Sequence, residues 1–177
     1  MSSVRRELLR RQFDLTWSLF EYHLERLEPE DFLWEPPGTH CWTVRQAPGG
    51  EWVPDWADVE PEPVPVPTIG WLHWHIGWWW DAAVDHANGR TPRPRTDVTW
   101  SGDAQSGVAW LRELREQWLA VLEDLTDADL DATARFPWQD DPTRTVADMS
   151  AWVNAELMKN AAEVGQLRLL RAARREE

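Results

Sequence analysis

The sequence is short of cysteine and lysine, with only Cys41 and Lys159 among its 177 residues. A single cysteine permits no disulfide within the chain, which excludes the disulfide-rich scaffolds of small exported proteins. The N-terminal segment lacks the apolar stretch and the small-residue cleavage site of a signal peptide. No uncharged apolar run is long enough to span a bilayer. We therefore expect a cytoplasmic protein without a membrane partner.

Positive charge is also scarce, because 18 Lys and Arg residues face 31 Asp and Glu residues for a formal net charge of −13. Proteins that bind the phosphate backbone of nucleic acids need clustered Lys and Arg, so a nucleic-acid partner is not expected. The length suits one domain over residues 1–177, and 42% hydrophobic residues are enough to form a core.

Tryptophan, in contrast, is abundant, with fifteen residues against four phenylalanines and one tyrosine. A buried indole removes a large apolar area from water, but its N–H group requires a hydrogen-bond acceptor. We therefore expect several polar acceptors among the aromatic rings of the core.

Apolar residues recur at helical spacing in four segments, at about 4–28, 68–88, 103–125 and 144–174. Thr68 is a suitable N-cap for the second segment, and Asn88-Gly89 is a suitable C-terminal stop. A Pro/Trp-rich stretch joins the first two segments, and Gly49-Gly50 in it indicates a short hairpin. The sequence predicts an all-α four-helix bundle with a long crossover that covers one end.

Three polar residues interrupt the apolar stripe of the last helix, namely Glu156, Asn160 and Glu163 at i, i+4 and i+7. Polar groups on a core-facing stripe are costly to bury unless they meet partners. The carboxylates could pair with Lys159, accept from indole N–H groups, or bind a metal ion together with histidines.

Two histidines of other helices are candidates to meet those carboxylates. His23 is predicted to point inward from the first helix, and His75 lies on the flank of the second helix's apolar stripe. His73 lies well round the second helix from that stripe. A core histidine is more often a hydrogen-bonded structural residue than a metal ligand, so both interpretations of His23 stay open.

Two segments, TIGWLHWHIGWWWDAAVDHANG and NAELMKNAAEVGQLRLLR, resemble the DinB/YfiT-like family. The resemblance implies an up-down-down-up bundle, often dimeric, with a divalent metal between the second and fourth helices. His75 matches the family's metal ligand on the second helix. On the fourth helix, Glu163 and Lys159 stand where the family has a histidine and an earlier ligand. Characterised relatives include thiol-dependent transferases and isomerases that use mycothiol, bacillithiol or glutathione.

The lysine is the most serious departure from the family pattern, because a protonated amine cannot bind a metal and repels cations. One hypothesis is a Zn, Ni or Mn site formed by His75 and Glu163, with Glu156 or His23 as the third ligand. The other is that the Lys159 ammonium replaces the metal and pairs with a carboxylate.

Three functions follow from these alternatives. The favoured one is a protein of unassigned activity that binds a small ligand in an aromatic-lined cavity near Lys159, Asn160, Trp79 and Trp71, with a degenerate or absent metal site. The second is a metal-dependent S-transferase or isomerase acting on a low-molecular-weight thiol of the mycothiol or bacillithiol type. The third is a dimeric interaction module without catalysis. A homodimer is expected in each case, and the sequence does not decide whether the protein is an enzyme.

Overall fold

The computed structural model describes residues 4–139 and 141–175, in which four long helices dominate. These are α1 (Val4–Leu24), α2 (Ile69–Ala87), α3 (Ala104–Asp124) and α5 (Val146–Arg174), with a short α4 (Asp127–Asp131) before the last. Short 3-10 turns occupy Pro29–Asp31 and Arg95–Asp97. The predicted all-α fold class is confirmed. No helix in the described ranges is both long and apolar enough to cross a membrane.

The helix boundaries follow local capping chemistry. Thr68 caps α2 as predicted, since its side chain accepts a hydrogen bond from the Trp71 backbone N–H. The first helix ends at Leu24, four residues before the predicted end, because the chain turns there before Pro29. Helix α4 lies in a stretch predicted to be a connection. Its Thr126–Asp129 capping box is the local sequence signal for this helix.

Contacts between the long helices fix their directions. Helices α1 and α5 run parallel, because Asn154 Nδ2 donates to the Leu9 carbonyl at 3.1 Å while His23 packs against Gly165 further along both helices. Helix α3 runs antiparallel to α1. Arg112 pairs with Glu21 near one end, and the side chain of Arg6 donates to a carbonyl near the other end of α3.

The crossover between α1 and α2 contains four short strands, β1 (Cys41–Trp42), β2 (Val44–Gln46), β3 (Trp52–Pro54) and β4 (Val66–Pro67). Strands β2 and β3 pair antiparallel, with Arg45 opposite Val53, and their turn contains Gly50 at φ 95°. The predicted hairpin is therefore confirmed, and a glycine at its turn supplies the positive φ. Strands β1 and β4 form a parallel pair.

This crossover covers the tryptophans of α2 that the bundle core does not bury. Trp42 stacks on Trp71 with ring centroids 5.2 Å apart, and Trp56 packs edge-on against Trp74 and Trp78. The indole N–H of Trp71 donates to the Asp55 carbonyl at 2.8 Å. The outward-facing rings of α2 need a cover that the other long helices do not supply. The crossover provides it.

Candidate site between helices α2 and α5

His75 lies on the side of α2 that faces α5, and its side chain is 18% exposed. The imidazole stacks on Trp71, with ring centroids 4.9 Å apart and planes inclined by 12°. Its Nε2 atom lies 3.8 Å from Glu156 Oε1, which is beyond hydrogen-bond distance. Its Nδ1 atom is buried and has no hydrogen-bond partner among the described residues. The ring is thus held by stacking, with both nitrogens outside any direct hydrogen bond.

Glu156 joins this histidine to the lysine of the chain. Lys159 Nζ lies 2.5 Å from Glu156 Oε1, and the lysine side chain is 54% exposed while the glutamate is 19% exposed. His75, and after it Lys159, lowers the pKa of the Glu156 carboxyl, against partial burial that raises it. Glu156 is therefore an ionised carboxylate shared between a neighbouring imidazole and an ammonium group.

The other two polar residues of the α5 stripe, Asn160 and Glu163, form a hydrogen-bonded chain that begins at the indole N–H of Trp79. Trp79 Nε1 donates to Asn160 Oδ1 at 3.2 Å, and Asn160 Nδ2 donates to Glu163 Oε2 at 2.8 Å. Asn160 is only 1% exposed, so an unbonded indole or amide at this depth would be costly. The expected acceptors are found only in part, since Trp71, Trp74 and Trp79 donate to an acceptor. Among the described residues, the buried indole N–H groups of Trp80, Trp100 and Trp118 have no hydrogen-bond partner.

His23 does not take part in this arrangement. It packs on the α1-facing side of α5, where its Nε2 atom lies 2.5 Å from the point a Cβ on Gly165 would occupy. Arg168 Nε approaches His23 Nδ1 at 3.4 Å. Burial, and then the positive charges of Arg168 and Arg26, lower the pKa of His23. The expected convergence of His23 with His75 is not found, because the two histidines contact different sides of α5.

A family profile described as the DinB superfamily matches residues 12–164. The chain belongs to the DinB superfamily. The match spans most of the chain, from α1 into α5, and includes His75, Glu156, Lys159 and Glu163. None of the curated proteins matches the chain. Membership establishes the DinB fold family, and it assigns no ligand, metal or reaction to this member.

The fit of a divalent metal to this DinB site can be judged from the side chains present. Within residues 4–139 and 141–175, no three His, Cys, Asp or Glu side chains are grouped so as to hold a metal ion. His75 and Glu156 face each other, but the Lys159 ammonium contacts the same carboxylate. Glu163, the expected ligand, is hydrogen-bonded to Asn160. This donor set does not fit the family's metal, and the Zn, Ni or Mn site stays an untested prediction.

The two tryptophans expected to line an aromatic cavity are closely packed. Trp71 and Trp79 are 7% and 3% exposed, and neither they nor Lys159 and Asn160 line any of the four best-defined cavities among the described residues. The largest of these, about 770 Å³, lies at the opposite end of the bundle between the end of α2 and the start of α5. The cluster of His75, Glu156 and Lys159 therefore lies at the surface beside packed indoles.

The most deeply buried histidine, His73, could not be identified from the sequence. His73 is fully buried, its ring centroid lies 4.8 Å from that of Phe32, and neither of its nitrogens has a hydrogen-bond partner among the described residues. Burial lowers the pKa of His73 to about 3, although a backbone interaction with Gly107 partly opposes this. Helix α2 is buried on several sides at once, so locating a single apolar stripe could not reveal this residue.

Proposed function

We propose that this DinB-superfamily protein binds a small anionic ligand at His75, Glu156 and Lys159, with the lysine ammonium in place of a divalent metal. The observation that carries the proposal is the 2.5 Å contact between Lys159 Nζ and Glu156 Oε1 beside the histidine. A metal ion at this position would have to displace the ammonium from the carboxylate, and the part of the chain that the structure describes groups no third His, Cys, Asp or Glu donor with these two.

Lys159 provides the charge that would select the ligand. An ammonium group has three N–H donors, so a contact with one carboxylate oxygen leaves capacity to bind an acidic group. The lysine side chain is 54% exposed, which gives a ligand access to it. Lys159 is also the single lysine of a chain whose formal net charge is −13. A cation on such a surface favours anions near it over the surrounding acidic regions.

His75 and the adjacent rings provide the second half of the recognition. The 3.8 Å distance between His75 Nε2 and Glu156 Oε1 is too long for a direct hydrogen bond, so this ring nitrogen is available to a ligand. Trp71 is buried and stacks on both Trp42 and His75, whereas Trp78 is partly exposed and its ring centroid lies 6.0 Å from that of His75. We therefore expect a ligand that combines a carboxylate with an aromatic or apolar body.

Sodium benzoate is a suitable probe, with benzyl alcohol as its uncharged control. Binding would be measured by calorimetry and by shifts of the indole N–H resonances in the wild type, in Lys159→Met and in Arg112→Met. Arg112 is the matched control, because it is 50% exposed and also pairs with a glutamate. We expect benzoate to bind the wild type and Arg112→Met, at least tenfold more weakly to Lys159→Met, and benzyl alcohol not to bind. No benzoate binding to the wild type, or equal binding to Lys159→Met, would overturn the proposal.

The alternative function, a divalent-metal-dependent S-transferase or isomerase acting on a low-molecular-weight thiol, has one favourable observation. His75 and Glu156 are two donors of the appropriate types on facing helices. This alternative requires that the wild-type protein retain metal and that His75→Ala lose it. The anionic-ligand proposal requires neither result.

A further inference from the structure

A cavity of about 770 Å³ lies between the end of α2, the end of α3 and the first turns of α5. His86 lines it and, at 1.5 Å per residue, is about 16 Å along α2 from His75. The inner wall includes core side chains that are at most 9% exposed, among them Val121, Leu125 and Met149. Small-molecule sites usually have volumes of about 300–1,000 Å³ and largely apolar walls. The cavity therefore suits a ligand with an apolar body, and it is separate from the anionic-ligand site proposed around His75.

One side of this cavity is an extended segment, residues 132–134, which pairs antiparallel with residues 144–146. Two backbone hydrogen bonds of 2.9 Å, one on either side of Thr133, hold the pair together. In an antiparallel pair, a residue between two such bonds directs its own N–H and C=O groups away from the partner strand. Both of these groups of Thr133 lack a hydrogen-bond partner among the described residues, and Thr133 lines the cavity. The cavity therefore contains a short open strand edge.

Two opposite charges, Arg90 and Asp124, line the cavity without pairing with each other. Arg90 Nε donates to Asp85 at 2.7 Å, which orients the guanidinium, and its two terminal nitrogens have no partner in the part of the chain that the structure describes. Within residues 4–139 and 141–175, the Asp124 carboxylate makes no hydrogen bond or ion pair. A guanidinium fork matches a carboxylate, and a carboxylate accepts from an ammonium group. The two side chains are therefore complementary to a molecule that carries both charges.

We infer that this cavity binds a short extended peptide with free termini and apolar side chains, added as a strand along Thr133. Arg90 binds the peptide carboxylate, Asp124 binds the ammonium group, and the middle residue exchanges hydrogen bonds with Thr133. Alternate side chains of an extended peptide share one face, so the first and third meet the apolar wall together. A free amino acid lacks the internal peptide group that Thr133 would pair with. A peptide with both charges is neutral, so a chain with a formal net charge of −13 does not repel it.

Calorimetric titration of the wild type with leucyl-alanyl-leucine tests the inference. The matched probes are the N-acetyl form of this peptide, which lacks the ammonium group, and its C-terminal amide, which lacks the carboxylate. We expect the free peptide to bind and each blocked form to bind about tenfold more weakly, because each loses a charge-assisted contact. No binding of the free peptide, or equal binding of the free and blocked forms, would overturn the inference.

Substitutions locate the peptide in this cavity. Arg90→Gln and Asp124→Asn should each bind leucyl-alanyl-leucine about tenfold more weakly than the wild type. Arg93→Gln is the matched control, because the Arg93 and Arg90 side chains are 54% and 53% exposed, each pairs with an aspartate of α2, and Arg93 does not line the cavity. Lys159→Met should also bind the peptide as the wild type does. Loss of binding in Lys159→Met would assign the peptide to the site at His75 and contradict the inference.

The strand edge has a test of its own. Thr133→Pro removes the backbone N–H that points away from residues 144–146, and the extended backbone of Ala132 suits a following proline. We expect Thr133→Pro to lose peptide binding and Thr133→Val, which keeps the N–H, to retain it, with unchanged circular dichroism spectra. Leucyl-N-methylalanyl-leucine removes the matching N–H from the peptide and should bind the wild type about tenfold more weakly. Undiminished binding of this peptide to the wild type, or of the unmodified peptide to Thr133→Pro, would refute strand addition.

Discussion

Acidification should destabilise this protein through His73 of α2. Its imidazole is fully buried against the rings of Phe20 and Phe32. Burial lowers the pKa of His73 from 6.5 to about 3 in the folded state. In the unfolded chain it has its ordinary value of about 6.5. Because the folded-state pKa is depressed, the stability that His73 contributes is complete above pH 6.5 and is lost progressively as the pH falls towards 3.

The magnitude follows from the proton uptake of the unfolded chain. At pH 5 an unfolded histidine is almost fully protonated, whereas His73 in the folded protein is still neutral. The free energy of unfolding should therefore be about 2 kcal/mol lower at pH 5 than at pH 8 on account of this residue alone. His73→Leu removes the titrating group and places an apolar side chain of similar size against Phe20 and Phe32. The His73→Leu substitution should therefore remove the part of the pH dependence of stability that comes from His73.

Urea unfolding at both pH values, followed by tryptophan fluorescence, measures the difference. We expect the wild type to lose about 2 kcal/mol more than His73→Leu between pH 8 and pH 5. His40→Leu is the matched control, because His40 is exposed, and it should retain the wild-type pH dependence. The carboxylates titrate equally in all three proteins and cancel from the comparison. If His73→Leu and the wild type had the same pH dependence, a neutral, buried His73 would be refuted.

Two further predictions concern stability and can be checked by urea denaturation. Gly77→Ala should destabilise the protein by about 1–3 kcal/mol, because a Cβ there would lie 2.1 Å from the Trp110 ring of the facing helix. Asp31→Asn should destabilise it by about 3 kcal/mol, because Asp31 and Arg171 form an ion pair whose side chains are 6% and 12% exposed. Removing the exposed Arg5 ion pairs should have a much smaller effect. Equal effects at Asp31 and Arg5 would contradict the importance of burial.

The helices and the crossover hairpin could be predicted because their signals are local. Hydrophobic period, the Thr68 cap and the Gly49-Gly50 turn each act within a few residues. The partners of the polar α5 stripe were also foreseeable, since buried indoles need acceptors and Trp79 finds Asn160.

The depth of each histidine could not be predicted from the sequence. The crossover and α3 bury sides of α2 that a single apolar stripe leaves facing solvent, so His73 is buried while His75 is partly exposed. Similarly, the spacing of apolar residues on α1 predicted that His23 faces inward. Its contact with Gly165 depends on how α5 packs against α1. These positions depend on which helices become neighbours, which is non-local information.

Metal content tests the replacement of a metal by Lys159 most directly. Protein purified without a metal-chelating tag would be incubated with Zn, Ni or Mn, desalted and measured by elemental mass spectrometry, as wild type, His75→Ala and Lys159→His. We predict far less than one metal per chain in the wild type and in His75→Ala, and a clear gain in Lys159→His, where the ammonium is exchanged for a donor. Near-stoichiometric metal in the wild type that is lost in His75→Ala would contradict the replacement and favour the metal-dependent function.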